Sequence, residues 1–144
     1  MTFQKCEEEG RDLFRELCQR WGWSVLFSDD QYDPADAEAG PMGGDRYLVE
    51  IKVRRISKDQ YDSALLEEKK RRALLKEVEE WGLSGAFYVS FYEEGYVRVW
   101  DVAKTNHVDV EVRSCPDTTC ATKKYVKKDV RMLPHGEAVS AGKL

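Results

Sequence analysis

The run Arg46-Tyr47-Leu48-Val49-Glu50-Ile51-Lys52-Val53-Arg54 constrains the fold of this chain more than any other segment. Aromatic and β-branched residues recur at every second position, which marks a strand with one apolar face. Tyr47, Val49, Ile51 and Val53 fall on that face and are predicted to meet a core. Leu48, Glu50 and Lys52 fall on the other, so a carboxylate and an ammonium share one surface. A strand that presents such a pair suits metal-assisted hydrolysis, the carboxylate holding a hard cation and the lysine stabilising charge that develops on an oxygen. The spacing by itself is weak, because Glu67/Lys69 and Glu68/Lys70 repeat it in a charged stretch. A cross-strand surface ion pair explains it equally well, so its surroundings must discriminate.

Upstream, residues from about Cys6 to Trp21 read as a helix with Cys6, Leu13, Phe14, Leu17 and Trp21 on one face and Gly22 as its stop. Trp23 to Phe27 is a short apolar strand, and Ala35 to Ala39 is a weaker one. The loop Gly40-Pro41-Met42-Gly43-Gly44-Asp45 then leads into the strand with Glu50 and Lys52. Downstream, Lys58 to Trp81 is free of Gly and Pro and reads as one long helix with a stripe of Leu66, Lys70, Ala73, Leu74, Val78 and Trp81. Gly85 to Phe91 and Tyr96 to Trp100 are strands around a Glu93-Glu94-Gly95 turn. Val108 to Arg113 alternates like a strand, Cys115 to Cys120 reads as a loop, Tyr125 to Leu133 is a last strand or short helix, and residues 135–144 are expected to fray. The interleaving predicts an α/β fold with one central mixed sheet.

The hairpin tests the first motif independently. Opposed residues of an antiparallel pair have a constant sum of numbers and share a face. A loop centred near Gly43 pairs Glu50 with Asp36, on the face of Lys52. Asp33 lies before Pro34, outside the predicted strand, and is the weaker choice. Like charges directly opposed on neighbouring strands repel, and a divalent cation between them removes that penalty. An oxygen-only ligand set selects Mg²⁺ or Mn²⁺ over zinc.

On these residues the chain resembles the PD-(D/E)xK nuclease superfamily, over about residues 6–101. The resemblance rests on Asp36, on Glu50-Ile51-Lys52 and on the element order α-β-β-β-α-β-β. It implies a restriction-endonuclease-like core, a central mixed sheet flanked by helices, with the remaining residues 102–144 as a C-terminal β extension. It further implies that Asp36, Glu50 and the Ile51 carbonyl hold the metal and that Lys52 is the catalytic lysine. A further acid on the first helix is implied at Glu9, with Glu8 as runner-up, and a polar residue from the second helix at Lys70, whose alternative is to snorkel. Tyr61 either contacts substrate or packs. Ala35 stands where the family name places a proline, which leaves the choice between Asp33 and Asp36 open.

The expected activity is therefore Mg²⁺- or Mn²⁺-dependent hydrolysis of DNA. A non-catalytic binding or inhibitory module on the same fold is the alternative. A third, weaker reading is a protein adaptor using Tyr92, Tyr96 and Trp100 as exposed aromatics, residues that are more simply read as strand positions packing against a helix. At 144 residues with a net charge of −4, the chain suits one domain that does not wrap nucleic acid by bulk charge. Residues 102–144 nevertheless carry eight Lys/Arg against five Asp/Glu, so Lys123, Lys124, Lys127 and Lys128 are candidate phosphate contacts. No apolar run is long enough for a membrane span. Four cysteines without zinc-finger spacing point to reduced thiols and a cytoplasmic setting, and a homodimer remains open.

Overall fold

The structure is a computed structural model and describes residues 3–29, 33–117 and 124–144. A first helix, α1 (Phe3–Trp21), turns at Gly22 into β1 (Trp23–Phe27). Two more strands, β2 (Ala37–Pro41) and β3 (Tyr47–Val53), complete an antiparallel run. Next come β4 (Ser63–Glu67), α2 (Glu68–Trp81), β5 (Gly85–Phe91) and β6 (Tyr96–Asp101). The chain ends in β7 (Val110–Pro116), β8 (Tyr125–Pro134) and β9 (Ser140–Lys143).

Six strands form a mixed sheet in the order β1-β2-β3-β5-β6-β9, and a second sheet has the order β4-β8-β7. Among the described residues, only β3 and β5 run parallel in the larger sheet, joined by the β4–α2 crossover. Both faces of that sheet are buried. On one, Val49, Val89, Phe91, Val97 and Val99 pack against Phe14, Leu17 and Cys18 of α1. On the other, Leu48, Ala86, Tyr88 and Trp100 meet Leu74 of α2, Ala64 and Leu66 of β4, and Leu133 of β8. The alternation predicted for β3 thus holds, but its second face is covered rather than solvated.

Several expectations need correction. The long helix from Lys58 is in fact turns, then β4, then a helix that begins only at Glu68. Ala64 and Leu66 are buried in alternation and pair with Leu133 and Arg131 of β8, so a distant partner outweighs local helix propensity. Tyr61 accordingly lies in the turns and is exposed, and Trp81, placed on the buried stripe, is 72% exposed. The end expected to fray is a strand, with β9 pairing along β6 at the sheet edge. Tyr92 and Trp100 are core residues at 8% and 1% exposure, so they pack as the simpler reading has it and are not the exposed aromatics that the adaptor reading needs. Finally, Cys18 and Cys115 are free thiols, whereas Cys6 is disulfide-bonded, so the all-reduced expectation fails there. No helix of the described residues is long and apolar enough to cross a membrane.

Candidate active site

The β2–β3 hairpin sets the site. Ala37 pairs with Val49, Glu38 with Leu48 and Ala39 with Tyr47, the register predicted from the turn. Gly43 takes a positive φ of 72° in that turn, and Gly44 donates its amide to the Pro41 carbonyl at 3.1 Å. Gly40 admits no side chain, because a Cβ there would sit 1.9 Å from the Asp45 carbonyl oxygen. One step beyond the paired residues, the Asp36 amide donates to the Val49 carbonyl at 3.0 Å. The Ile51 amide in turn donates to Asp36 Oδ2 at 2.7 Å. Asp36 is therefore locked beside Glu50, just before β2 begins. Asp33 is instead exposed and accepts a hydrogen bond from the Ser28 hydroxyl.

Glu50 is 4% exposed, an unusual setting for a carboxylate. Burial first, and then the adjacent Asp36 carboxylate, push its pKa up to about 8, against the pull of Lys52 and Lys70. The Lys70 ammonium, on the first turn of α2, lies 3.1 Å from Glu50 Oε2 and donates to the Pro34 carbonyl at 3.0 Å. Its contact with Glu50 is an ion pair rather than an aligned hydrogen bond, and Oε2 is buried without a hydrogen-bond partner among the described residues. Burial lowers the Lys70 pKa, but Glu50, Asp36 and Glu67 together outweigh it and hold the group above the ordinary lysine value. Lys70 thus lies beside Glu50 and is ion-paired with it.

Glu50, Lys52 and Lys70 line a cleft of about 120 Å³ together with Arg54, Tyr88 and Glu67. Cys115 and Pro116, at the end of β7, close its outer side. Of these, Arg54, Glu67 and Tyr88 escaped the sequence reading. Arg54 had a visible signal, since it continues the alternation of Glu50 and Lys52 along β3. Glu67 and Cys115 reach the cleft only through the second sheet, which local patterning does not reveal.

Two expected contributors are not brought to the cleft. Glu9 is engaged by Arg55 at 2.5 Å, and Glu8 is exposed and accepts from Gln4 at 3.3 Å. The cause is that α1 packs on the opposite face of β3, where Gly10 abuts Ile51 and Val53. Among the described residues, no third carboxylate, histidine or thiol joins Asp36 and Glu50. Of the C-terminal lysines, Lys128 is committed to Glu67 at 2.7 Å and to the Asp117 carbonyl at 3.1 Å. Lys127 is exposed on β8, and Lys123 lies outside the described residues.

The residues present fit a hard divalent cation. A buried carboxylate oxygen without a hydrogen-bond partner, beside a second carboxylate fixed by a backbone amide, forms an all-oxygen acceptor pair. Mg²⁺ commonly takes only one or two protein carboxylates and completes its shell with water and phosphate oxygens.

An α/β sheet with a parallel β3–β5 pair, an antiparallel hairpin carrying the acids and helices on both faces makes a restriction-endonuclease-like fold. The chain is similar to the solved structure of Hjc, a Holliday junction resolvase from the archaeal hyperthermophile Archaeoglobus fulgidus. The TM-score is 0.58 at 14% identity, over 94% of this chain and 92% of that one. No family model and no curated protein matches the sequence.

Proposed function

We propose that this protein is a metal-dependent deoxyribonuclease that hydrolyses phosphodiester bonds in the cleft between β3 and β4. The observation that carries the proposal is the buried Glu50 carboxylate, raised to about 8 and set between Asp36, Lys52 and Lys70. Burying an acid against a second acid destabilises a fold, and such cost is commonly retained where a site needs it. Asp36, Glu50 and the Ile51 carbonyl would hold Mg²⁺ or Mn²⁺, which when bound supplies the positive charge that offsets the phosphorane-like transition state.

The chain's own groups do the remaining work. Lys52, on the same strand face as Glu50, orients the attacking water and stabilises the anionic oxygen that develops on the phosphate. Lys70, 3.1 Å from Glu50 Oε2, favours the ionised carboxylate against the burial that raises its pKa, and so lowers the cost of loading the metal. The Asp36 carboxylate is kept in place by the Ile51 amide, so one strand register positions both acids. The substrate class, DNA and in particular branched DNA, is taken from the fold shared with a junction resolvase.

The test is incubation of the protein with four-way-junction, linear duplex and single-stranded DNA in Mg²⁺, Mn²⁺ or EDTA. Cleavage of at least one substrate that requires the metal supports the proposal. Absence of cleavage on every substrate, with DNA still bound, would instead favour a non-catalytic binding module.

A further inference from the structure

Arg54 stands two residues beyond Lys52, one residue past the end of β3, and lines the cleft, yet no role in the site has been given to it. Its Nη2 donates to the Leu65 carbonyl at 3.0 Å and to the Tyr88 hydroxyl. The Tyr88 hydroxyl donates to the same carbonyl at 2.7 Å. These contacts clamp one end of the guanidinium to the wall formed by β4. A guanidinium carries five N–H donors in a fixed plane, so the clamp leaves Nε and Nη1 without a hydrogen-bond partner among the described residues.

The charge of Arg54 is also unmatched. Neighbouring Arg55 pairs with Glu9, and buried Arg98 pairs with Asp59. The two acids that share the cleft with Arg54 are committed elsewhere, Glu50 to Lys70 and Glu67 to Lys128. Arg54 is half-buried and has no carboxylate partner among the described residues. A half-buried, rigidly held guanidinium with spare donors and no carboxylate partner is arranged to meet an anion entering the cleft.

We propose that Arg54 is a phosphate-binding residue of the cleft, which donates from Nη1 to a DNA phosphate oxygen while Nη2 stays anchored to Leu65 and Tyr88. The inference rests on the nuclease reading for its substrate, but its geometry belongs to the cleft alone. With Lys52 on one side and Arg54 next along the strand, the phosphate chain would run parallel to β3. A purely structural Arg54 would brace β4 through Leu65 and touch no ligand.

The experiment measures binding of a labelled four-way DNA junction in Ca²⁺ across a salt series, for the parent, Arg54→Gln and Arg54→Lys. Glutamine keeps a donor for the Leu65 carbonyl and loses the charge. Its log–log salt slope is expected to be shallower by roughly one unit, the contribution of one phosphate contact. Lysine keeps the charge as a point donor, so its slope should match the parent. In Mg²⁺ the single-turnover cleavage rate of Arg54→Lys should still fall about tenfold or more, because one ammonium cannot span the Leu65 anchor and the phosphate as the planar guanidinium does. Thermal midpoints separate the structural alternative, which lowers stability and leaves the slope unchanged. A parental slope in folded Arg54→Gln overturns the assignment. If Arg54→Gln does not fold, a parental cleavage rate in Arg54→Lys overturns it. A parent that binds the junction but never cuts it refutes the nuclease reading, and the slope comparison still decides the phosphate contact.

Discussion

Replacing Glu50 with glutamine should stabilise the metal-free protein, although it removes a central residue of the site. The carboxyl is 4% exposed and its pKa rises from 4.5 to about 8 on folding. A group whose folded pKa is raised binds its proton more tightly in the native state, so the unfolded chain releases it first as the pH climbs. Parental stability should therefore fall between about pH 4.5 and pH 8 and level off above. At about 1.4 kcal/mol per unit, the span sets a ceiling of about 5 kcal/mol. Glutamine keeps the shape but leaves Lys70 without its carboxylate, which takes back part of the gain. The expected net stabilisation at pH 8.5 is about 1–3 kcal/mol, or about 3–9 °C in midpoint for a chain of this size. Thermal melts in EDTA at pH 5 and pH 8.5 read it directly, with the difference nearly absent at the lower pH. Added Mn²⁺ should reverse the order, since only the parent gains binding energy from the ion. Equal midpoints at both pH values in EDTA would show that Glu50 is not a destabilising buried charge, and the reasoning about the site would fail.

Lys70→Met should push the Glu50 carboxyl higher still, because the ammonium 3.1 Å away is gone. Mn²⁺ affinity by calorimetry should drop about tenfold at pH 7 and largely recover at pH 9, since one pKa unit corresponds to a factor of ten; equal losses at both would refute the link. Outside the cleft lining, Glu68→Ala should destabilise the fold by about 3–5 kcal/mol, because it strands two largely buried arginines, Arg71 and Arg131, that now pair with it at 3.1 and 2.5 Å. Hydrogen bonds from Arg131, ahead of the other arginines, hold the Glu68 carboxyl below the usual range. Its contribution is thus present above the ordinary carboxylate pKa and is lost as pH falls through the lowered value, so denaturant melts of parent and variant should converge in acid.

The β2–β3 hairpin was readable because its register depends on a local turn. Gly43 and Gly44 mark that turn, and the alternation in β3 then places Asp36 against Glu50 without any distant information. The α1 stripe was legible for the same reason, a single helix face meeting a single sheet. β4 was not, since Ser63 to Glu67 is only five residues long and becomes a strand through pairing with β8. That pairing also explains why Glu67, Cys115 and Pro116 of the cleft escaped notice: all three come from the second sheet. Glu9 failed for a geometric reason, because a helical wheel records which face is apolar but not which side of the sheet the helix covers.

Single-turnover cleavage by Lys52→Ala tests the proposed chemistry most directly. The substitution leaves Val49 and Ile51 packed on the α1 side of the sheet and Asp36 and Glu50 in register. The variant should melt like the parent, bind Mn²⁺ with parental affinity and bind DNA in Ca²⁺. In Mg²⁺ it should cut the parent's preferred substrate slower by roughly two to three orders of magnitude, the scale for one group that stabilises a developing oxyanion. Cleavage at the parental rate would take the lysine, and with it the proposed mechanism, out of the cleft.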